Sequence, residues 1–557
     1  MNLTKFSWAL ACCFLFAGIA WTAPPNLVLI ITDDQGYPDL SCNGNPYVKT
    51  PNIDRLKREG AALERFYVSP VCSPTRASLM TGRYNYRTGV VDTYIGRSRM
   101  HASEVTLAER LRAAGYRTGI FGKWHLGDTY PLRAMDQGFE ETLVCRGGGV
   151  GQPSDPPGNS YFNPRLQHNG EEVATEGYCT DIFTRSGIDF IREHKDAPFF
   201  VYLPFNAPHS PLTVEERYVK PFLDQGLDED TARAYGMVTN IDENVGNVLD
   251  TLRALSLEER TLVLFMTDNG TAHGHKVYTA GLRGTKGTVY EGGIRVPCYL
   301  RWPDTIAPGT VRNELLAHID LHPTLLDALG VAPDTSTAMD GRSFWPLLTS
   351  ASTDWPARAV VLQWHRGDEP RAFENSAVVE QRYKLVNGAE LYDVQADPGE
   401  TTDLAAREPE EVARMRGVYE QWFADVSATR GYAPPRILLA PAEAPLTVLT
   451  PQDWRGTQDF GRSNHAHWGV ATTETGPYTI AFDLLEPLAS GRVQVEIAGL
   501  RRSLEVPEGA TTVQFEGIEL PAHLEDRLTF TVEHKSKGGA VAYARVWRSD
   551  RPNPNRN

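Results

Sequence analysis

Cys72 opens the run Cys72 to Gly82, CSPTRASLMTG, with proline two places on and arginine four places on. Ser73 suits a helix N-cap and Pro74 the first helical residue, while Ala77, Leu79 and Met80 continue a helix that Gly82 stops. The spacing therefore sets Cys72 at a helix N-terminus, where free N–H groups and the backbone dipole favour a thiolate or an alkoxide. A buried cysteine ahead of an ordinary helix is the plain alternative.

The elements that must position this residue are legible as apolar runs ending in polar clusters. Asn26 to Thr32 reads as a buried strand followed by Asp33 and Asp34, and Arg117 to Phe121 leads to Gly122-Lys123-Trp124-His125. Phe199 to Leu203 leads to Asn206-Ala207-Pro208-His209, and Thr261 to Thr267 to Asp268-Asn269-Gly270. Such runs, separated by helical patterns over Asn52–Glu59, Val105–Ala114, Asp181–His194 and Glu229–Leu255, predict a mostly parallel α/β sheet. Ligands of such sheets bind beyond the carboxyl ends of the strands, so the four polar clusters are expected to meet at one edge.

Besides CSPTR, the chain carries GYRTGIFGKWHLG (Gly115–Gly127), NAPHSP (Asn206–Pro211), TDNG (Thr267–Gly270), GLRGTKGTVYEGGIRVP (Gly281–Pro297) and LYDVQADPGETTDL (Leu391–Leu404). Over roughly Asn26 to Leu404 the chain resembles the type I sulfatases of the alkaline phosphatase superfamily. The resemblance implies an alkaline-phosphatase-like α/β core and a sulfuric ester hydrolase. It implies that a formylglycine-generating enzyme oxidises Cys72 to formylglycine, whose hydrate is the nucleophile.

It also implies that Asp33, Asp34, Asp268 and Asn269, with the modified Cys72, bind one divalent cation. Hard oxygen ligands of this kind suit calcium or magnesium rather than zinc, and calcium accepts the more irregular shell. An Asx turn is the other reading of Asp33-Asp34. By the same resemblance Lys123 and Lys286 hold sulfate oxygens, and Arg76 steadies the formylglycine oxygen. Asp268 takes the first hydroxyl proton, His209 serves the leaving alcohol oxygen, and His125 takes the second hydroxyl proton. Histidine suits proton transfer near neutral pH. Core histidines and a solvated loop lysine are the plainer readings of His125, His209 and Lys286. Glu291 and Arg295 read as structural.

The chain has 557 residues and is too long for one core. A signal peptide is expected over 1–23, a catalytic α/β domain over 24–345, an α+β subdomain over 346–430, and a β-sandwich-like domain over 440–550. Lys5 and the apolar Phe6–Ile19 make the leader, cut after Ala20 or Ala23, and predict a secreted or periplasmic protein. A net charge of −15 without a basic cluster speaks against nucleic acid, and no later run is long enough to span a membrane. Of seven cysteines, Cys42, Cys145, Cys179 and Cys298 remain after the leader and Cys72 are set aside, so disulfides are permitted but not required.

The connector Asp334–Pro356 precedes strands in Ala359–Val386 and a helix over Glu410–Val426. Trp364 to Asp368 is a candidate pocket mouth or a plain hairpin loop, and His318 and His322 read as core. After a second junction at Arg430–Pro445, alternating runs at Tyr478–Leu484, Arg492–Ile497, Arg527–Val532 and Ala540–Val546 predict the sandwich. Trp454, His465, His467 and Trp468 are candidates for a sugar-binding surface or for core, and the tail Arg548–Asn557 is expected to be disordered. The substrate expected is a sulfated glycan or polysaccharide, or an aryl sulfate, with Arg146–Asn169 shaping its pocket. A phosphomonoester or phosphonate hydrolase is the rival enzyme; an unmatured carbohydrate-binding homologue is the rival from another class.

Overall fold

The computed structural model describes residues 24–333, 337–350, 354–457, 463–488, 490–534 and 541–552. The leader read at 1–23, part of the 334–356 connector and the last five residues lie outside them. Ten strands form the central sheet, in the order 310–312, 61–63, 298–301, 261–267, 26–32, 199–204, 117–123, 141–145, 165–168 and 171–174. The five strands from Thr261–Thr267 to Glu141–Cys145 run parallel, and antiparallel strands flank them. The predicted mostly parallel sheet is therefore the observed one.

The apolar runs are continuous because both faces of the sheet are covered. Val28, Ile30, Val263 and Phe265 pack with Ile53, Ile182, Ile241 and Val245 of the helices on one face. Leu27, Leu29, Leu264 and Met266 pack with Leu79, Met80, Leu107, Leu111 and Leu325 on the other. The helix Leu107–Ala113 begins two residues later than its apolar pattern suggested. Thr106 is its N-cap, accepting from the Glu109 N–H while Glu109 caps in return.

Four short antiparallel strands between Val360 and Asp393 lie beside the helix Pro409–Ala428. Beyond Ile437 the chain forms a sheet of five strands and a sheet of four, which bury one shared core. Trp454 and Trp468 are fully buried there, with Trp468 5.3 Å from Phe530. That placement bears out the core reading of the two tryptophans and sets aside the sugar-surface one. His465 is exposed and His467 half-buried on the same strand.

Arg548 corrects the disordered-tail reading at its first residue. It ends the strand Val541–Arg548 and pairs with Asp550 at 2.5 Å. Cys42, Cys72, Cys145, Cys179 and Cys298 are all free thiols among the described residues. No helix among the described residues is long and apolar enough to cross a membrane.

Trp468→Ala is expected to cost about 3–5 kcal/mol, since it removes a buried indole from a closed core. Urea unfolding followed by the sandwich's own fluorescence checks it, and a cost below 1 kcal/mol would contradict this account of the sandwich core.

Candidate active site

The helix Cys72–Thr81 begins two residues before the sequence reading placed it. Val71 is its extended N-cap, and Cys72 is the first helical residue rather than a residue before the cap. No side chain caps this end, and the Ser73 hydroxyl is buried without a partner, so Ser73 is not the cap.

One turn on, Arg76 ties the helix to two strand ends. Its Nε and Nη2 donate to Asp268 Oδ2 at 3.0 and 2.7 Å, and its Nη1 donates to the Lys123 carbonyl at 2.8 Å. Asp33 Oδ2 stands 3.8 Å from Arg76 Nη2 and accepts from Lys123 Nζ at 2.5 Å. Asp34 Oδ1 pairs with Lys286 Nζ at 2.5 Å and accepts from Asn269 Nδ2 at 2.9 Å. His209 Nε2 lies 3.7 Å from Asp34 Oδ2, and Cys72 Sγ lies 3.4 Å from His125 Nδ1. Every residue singled out for this site thus falls within one connected cluster. Arg76, Asp33, Lys123, Asp268 and Asn269 are completely buried, whereas Lys286 is partly exposed.

The backbone is shaped to reach this arrangement. Asp34 and His125 sit at φ 67° and 59°, in the left-handed region that residues other than glycine seldom adopt. Gly270 follows Asn269, and a Cβ on it would stand 1.9 Å from the Gly292 carbonyl oxygen. Burial pushes Asp268 up to about 7, with Asp33 adding to it and Arg76 and Lys123 opposing. Burial is the largest influence on Asp33 and would raise it, but Lys123, His209 and Arg76 together hold that carboxyl below the usual range. Burial, reinforced by Lys123 and Arg76, holds His125 well below the usual histidine value, so it is neutral. Burial and Lys286 lower His209 likewise.

The donor set fits a hard divalent cation. Asp33 Oδ1 and Asn269 Oδ1 are buried with no partner, and carboxylate or imidazole atoms of Asp33, Asp34 and His209 lie within 4.8 Å of one another. Asp33, Cys72 and Asp268 form a second such group.

Two residues beside His125, Thr93 and Gln452, carried no mark in the sequence. Thr93 presents its carbonyl 3.2 Å from His125 Nε2, and Gln452 Nε2 lies 3.2 Å from the same nitrogen. Asn206 of NAPHSP is buried with both amide atoms unpartnered. In the loop 146–169, Gly148 lies against His125, and Gln152 joins the Tyr94 hydroxyl (3.1 Å) to the Ser210 carbonyl (2.9 Å). Trp364 and Arg366 both donate to Asp92, at 2.9 and 3.0 Å, so the 364–368 loop rests on the turn that precedes Tyr94. Glu291 is buried against Lys384 at 3.1 Å and Tyr67 at 3.1 Å, and His322 Nδ1 meets the Met80 carbonyl at 2.8 Å. These contacts fit their structural and core readings.

Cations facing a helix-borne nucleophile suit the α/β enzymes that cleave anionic esters, and comparison with known proteins narrows that class. The sulfatase family model matches residues 25–331, and the model described as N-sulphoglucosamine sulphohydrolase, C-terminal, matches 284–418. The chain belongs to the sulfatase family, the sulfuric ester hydrolases of type I within the alkaline phosphatase superfamily.

Human arylsulfatase A is 34% identical over 436 residues, which are 71% of this chain and 82% of that protein. Human N-acetylgalactosamine-6-sulfatase is 33% identical over 371 residues, 62% of this chain and 69% of that one. The mouse protein of that name is matched over 66% of its length. The crystal structure of Ps i-CgsB with k-i-k-neocarrahexaose superposes with a TM-score of 0.66 at 28% identity, over 74% of this chain and 94% of that one. The phosphonate monoester hydrolase of Agrobacterium radiobacter shares the fold, with a TM-score of 0.53 at 23% identity over 72% of this chain and 95% of that one.

Gly270→Ala is expected to destabilise by about 1–3 kcal/mol, because the new methyl cannot avoid the Gly292 carbonyl. Gly417→Ala, in open space within the helix Pro409–Ala428, is expected to stabilise by about 0.5–1 kcal/mol. Paired urea titrations read both signs.

Proposed function

We propose that this chain is an exported sulfatase that removes sulfate from a glycan or polysaccharide, using formylglycine made from Cys72 and a calcium ion held by Asp33, Asp34, Asp268 and Asn269. The observation that carries this reading is the clamp of Lys123, Lys286 and Arg76 around Cys72, on three carboxylates at two neighbouring strand ends, Asp33 and Asp34 after one and Asp268 after the other. The glycan is supported by the names of two similar proteins, one an N-acetylgalactosamine-6-sulfatase and one a structure in complex with k-i-k-neocarrahexaose. In this reading the catalytic unit spans 24–345, its α+β partner 346–430 and the sandwich 440–550, after a leader that directs secretion or passage to the periplasm.

Three carboxylates and three side-chain cations balance one another, so one divalent cation would leave an excess of positive charge to meet an anionic sulfate ester. Formylglycine supplies the nucleophilic hydroxyl, and the cation supplies positive charge beside it. Arg76 orients that hydroxyl from within its own helix, and Asp268, raised towards neutrality, takes its proton. Lys123 and Lys286 bind the sulfate oxygens. His209 stands at the open side of Asp34 and serves the alcohol oxygen that leaves. His125, neutral and facing Cys72 through Nδ1, takes the remaining hydroxyl proton. The loops 146–169 and 364–368 border this opening and would select the sugar.

Protein coexpressed with a formylglycine-generating enzyme is expected to release sulfate from a panel of sulfated saccharides, and Cys72→Ala is expected to release none. Lys123→Ala and Lys286→Ala should each lower turnover by roughly 10²–10³-fold. Silence on every sulfate ester, with the aldehyde at Cys72 verified by mass spectrometry and turnover of phosphate or phosphonate esters, would overturn the sulfatase reading. Calcium returned to chelated protein at 100 times its Kd is expected to stabilise it by about 2.7 kcal/mol. Asn269→Ala should weaken that response, as measured by thermal unfolding.

A further inference from the structure

We propose that Gln452, which lies beyond both sulfatase family models, is a positioning residue for His125, and that the appended sandwich thereby completes the active site. The inference rests on the roles given above to Cys72 and His125. Gln452 lies between the strands Leu446–Leu449 and His465–Ala471 of the sandwich, yet its side chain is buried under the catalytic unit. Its Nε2 donates to the Thr93 carbonyl, stands 3.2 Å from His125 Nε2 and lies 3.5 Å from the Ser98 hydroxyl.

The chemistry of this contact decides which imidazole nitrogen carries the proton. In a neutral imidazole one ring nitrogen donates and the other accepts. The two amide hydrogens of Gln452 have acceptors of their own in the Thr93 carbonyl and the Ser98 hydroxyl, so the ring need not accept from it, and the Thr93 carbonyl, which can only accept, takes the proton of Nε2 at 3.2 Å. Nδ1 is then the basic nitrogen, and it is the one facing Cys72. The amide of Gln452 donates to the second lone pair of the same carbonyl and keeps it aimed at the ring. Turning the amide over would bring its oxygen against the Thr93 oxygen, so the nitrogen belongs on this side. Gln452 Oε1 is left buried without a partner, which suits a residue placed for its other end. The left-handed backbone at His125 adds to the need for an external support.

The sandwich holds Gln452 in place from both sides. Trp468 Nε1 donates to the Thr450 carbonyl at 2.8 Å, and Trp454 is buried in the sandwich core. Arg455 and His467 exchange backbone hydrogen bonds at 2.8 and 3.0 Å. Towards the catalytic unit, the Gly96 N–H donates to the Gln452 carbonyl at 3.3 Å, Asp453 meets Arg99 at 3.4 Å, and Arg455 Nη1 donates to the Ile95 carbonyl at 3.3 Å. The turn 93–99, which supplies the Thr93 carbonyl, is therefore gripped by residues 452–455.

Nitrogen-15 NMR of histidine-labelled protein tests the proposal without turnover, with the His125 signals assigned by their loss in His125→Ala. The wild-type ring is expected as the Nε2–H tautomer. Gln452→Met, which preserves length and bulk, is expected to give a mixture of tautomers. It should also lower kcat on a small aryl sulfate on the order of 10- to 100-fold, with KM and the unfolding midpoint nearly unchanged.

A wild-type ring protonated at Nδ1 would overturn the proposal. So would a folded Gln452→Met with unaltered tautomer and kcat. Should Gln452→Met fail to fold, the wild-type tautomer and the shorter amide of Gln452→Asn decide. Should matured protein cleave no sulfate ester, the functional reading fails on its own, while the tautomer change between wild type and Gln452→Met still decides this one.

Discussion

Arg76 is the interaction on which the site depends. It is completely buried on the helix that begins at Cys72, and it reaches the end of one strand through Asp268 and the end of another through the Lys123 carbonyl. A guanidinium removed from water needs its partners, and removing one partner of such a pair costs about 3–5 kcal/mol. The helix N-terminus is consequently locked against the sheet edge, and Cys72 with it. The lysines make the same demand, since Lys123 and Lys286 each hold a carboxylate that burial would otherwise neutralise.

The sheet makes this concentration of charge affordable. Its central strands are apolar on both faces, and the polar groups of the site follow or end them at their carboxyl ends. Asp33, Lys123, Asn206 and Asp268 follow or end strands that are neighbours in the order 261–267, 26–32, 199–204 and 117–123. Backbone hydrogen bonds from Asp33 to Ala207 and from Asp268 to Thr32 tie three of those ends together. The sandwich extends the support from outside, through residues 452–455 on the turn 93–99. In that arrangement an appended module is part of the chemistry rather than a separate binding unit.

Much of this was legible because the signals are local. A strand that must be buried on both faces announces itself as an unbroken apolar run, so Asn26–Thr32 and Thr261–Thr267 were read with their observed limits. The start of the Cys72 helix was misread because Ser73 and Pro74 have the composition of a cap, whereas the extended Val71 fills that position. Trp454 and Trp468 could not be assigned to surface or core from their spacing, because alternation gives two faces and not which face is inward.

By itself, the sequence determined the order of the elements, the polar residue types at each strand end and the cysteine at a helix start, since each depends on neighbours a few residues apart. Only the tertiary structure decided that Asp268 and Asp33 share Arg76, that Thr93 faces His125, and that Gln452 reaches into the catalytic unit. Those contacts join residues far apart in the chain, Gln452 and His125 being 327 positions from one another. Their formation depends on strand order and on how the sandwich docks, for which no residue-to-residue periodicity leaves a trace.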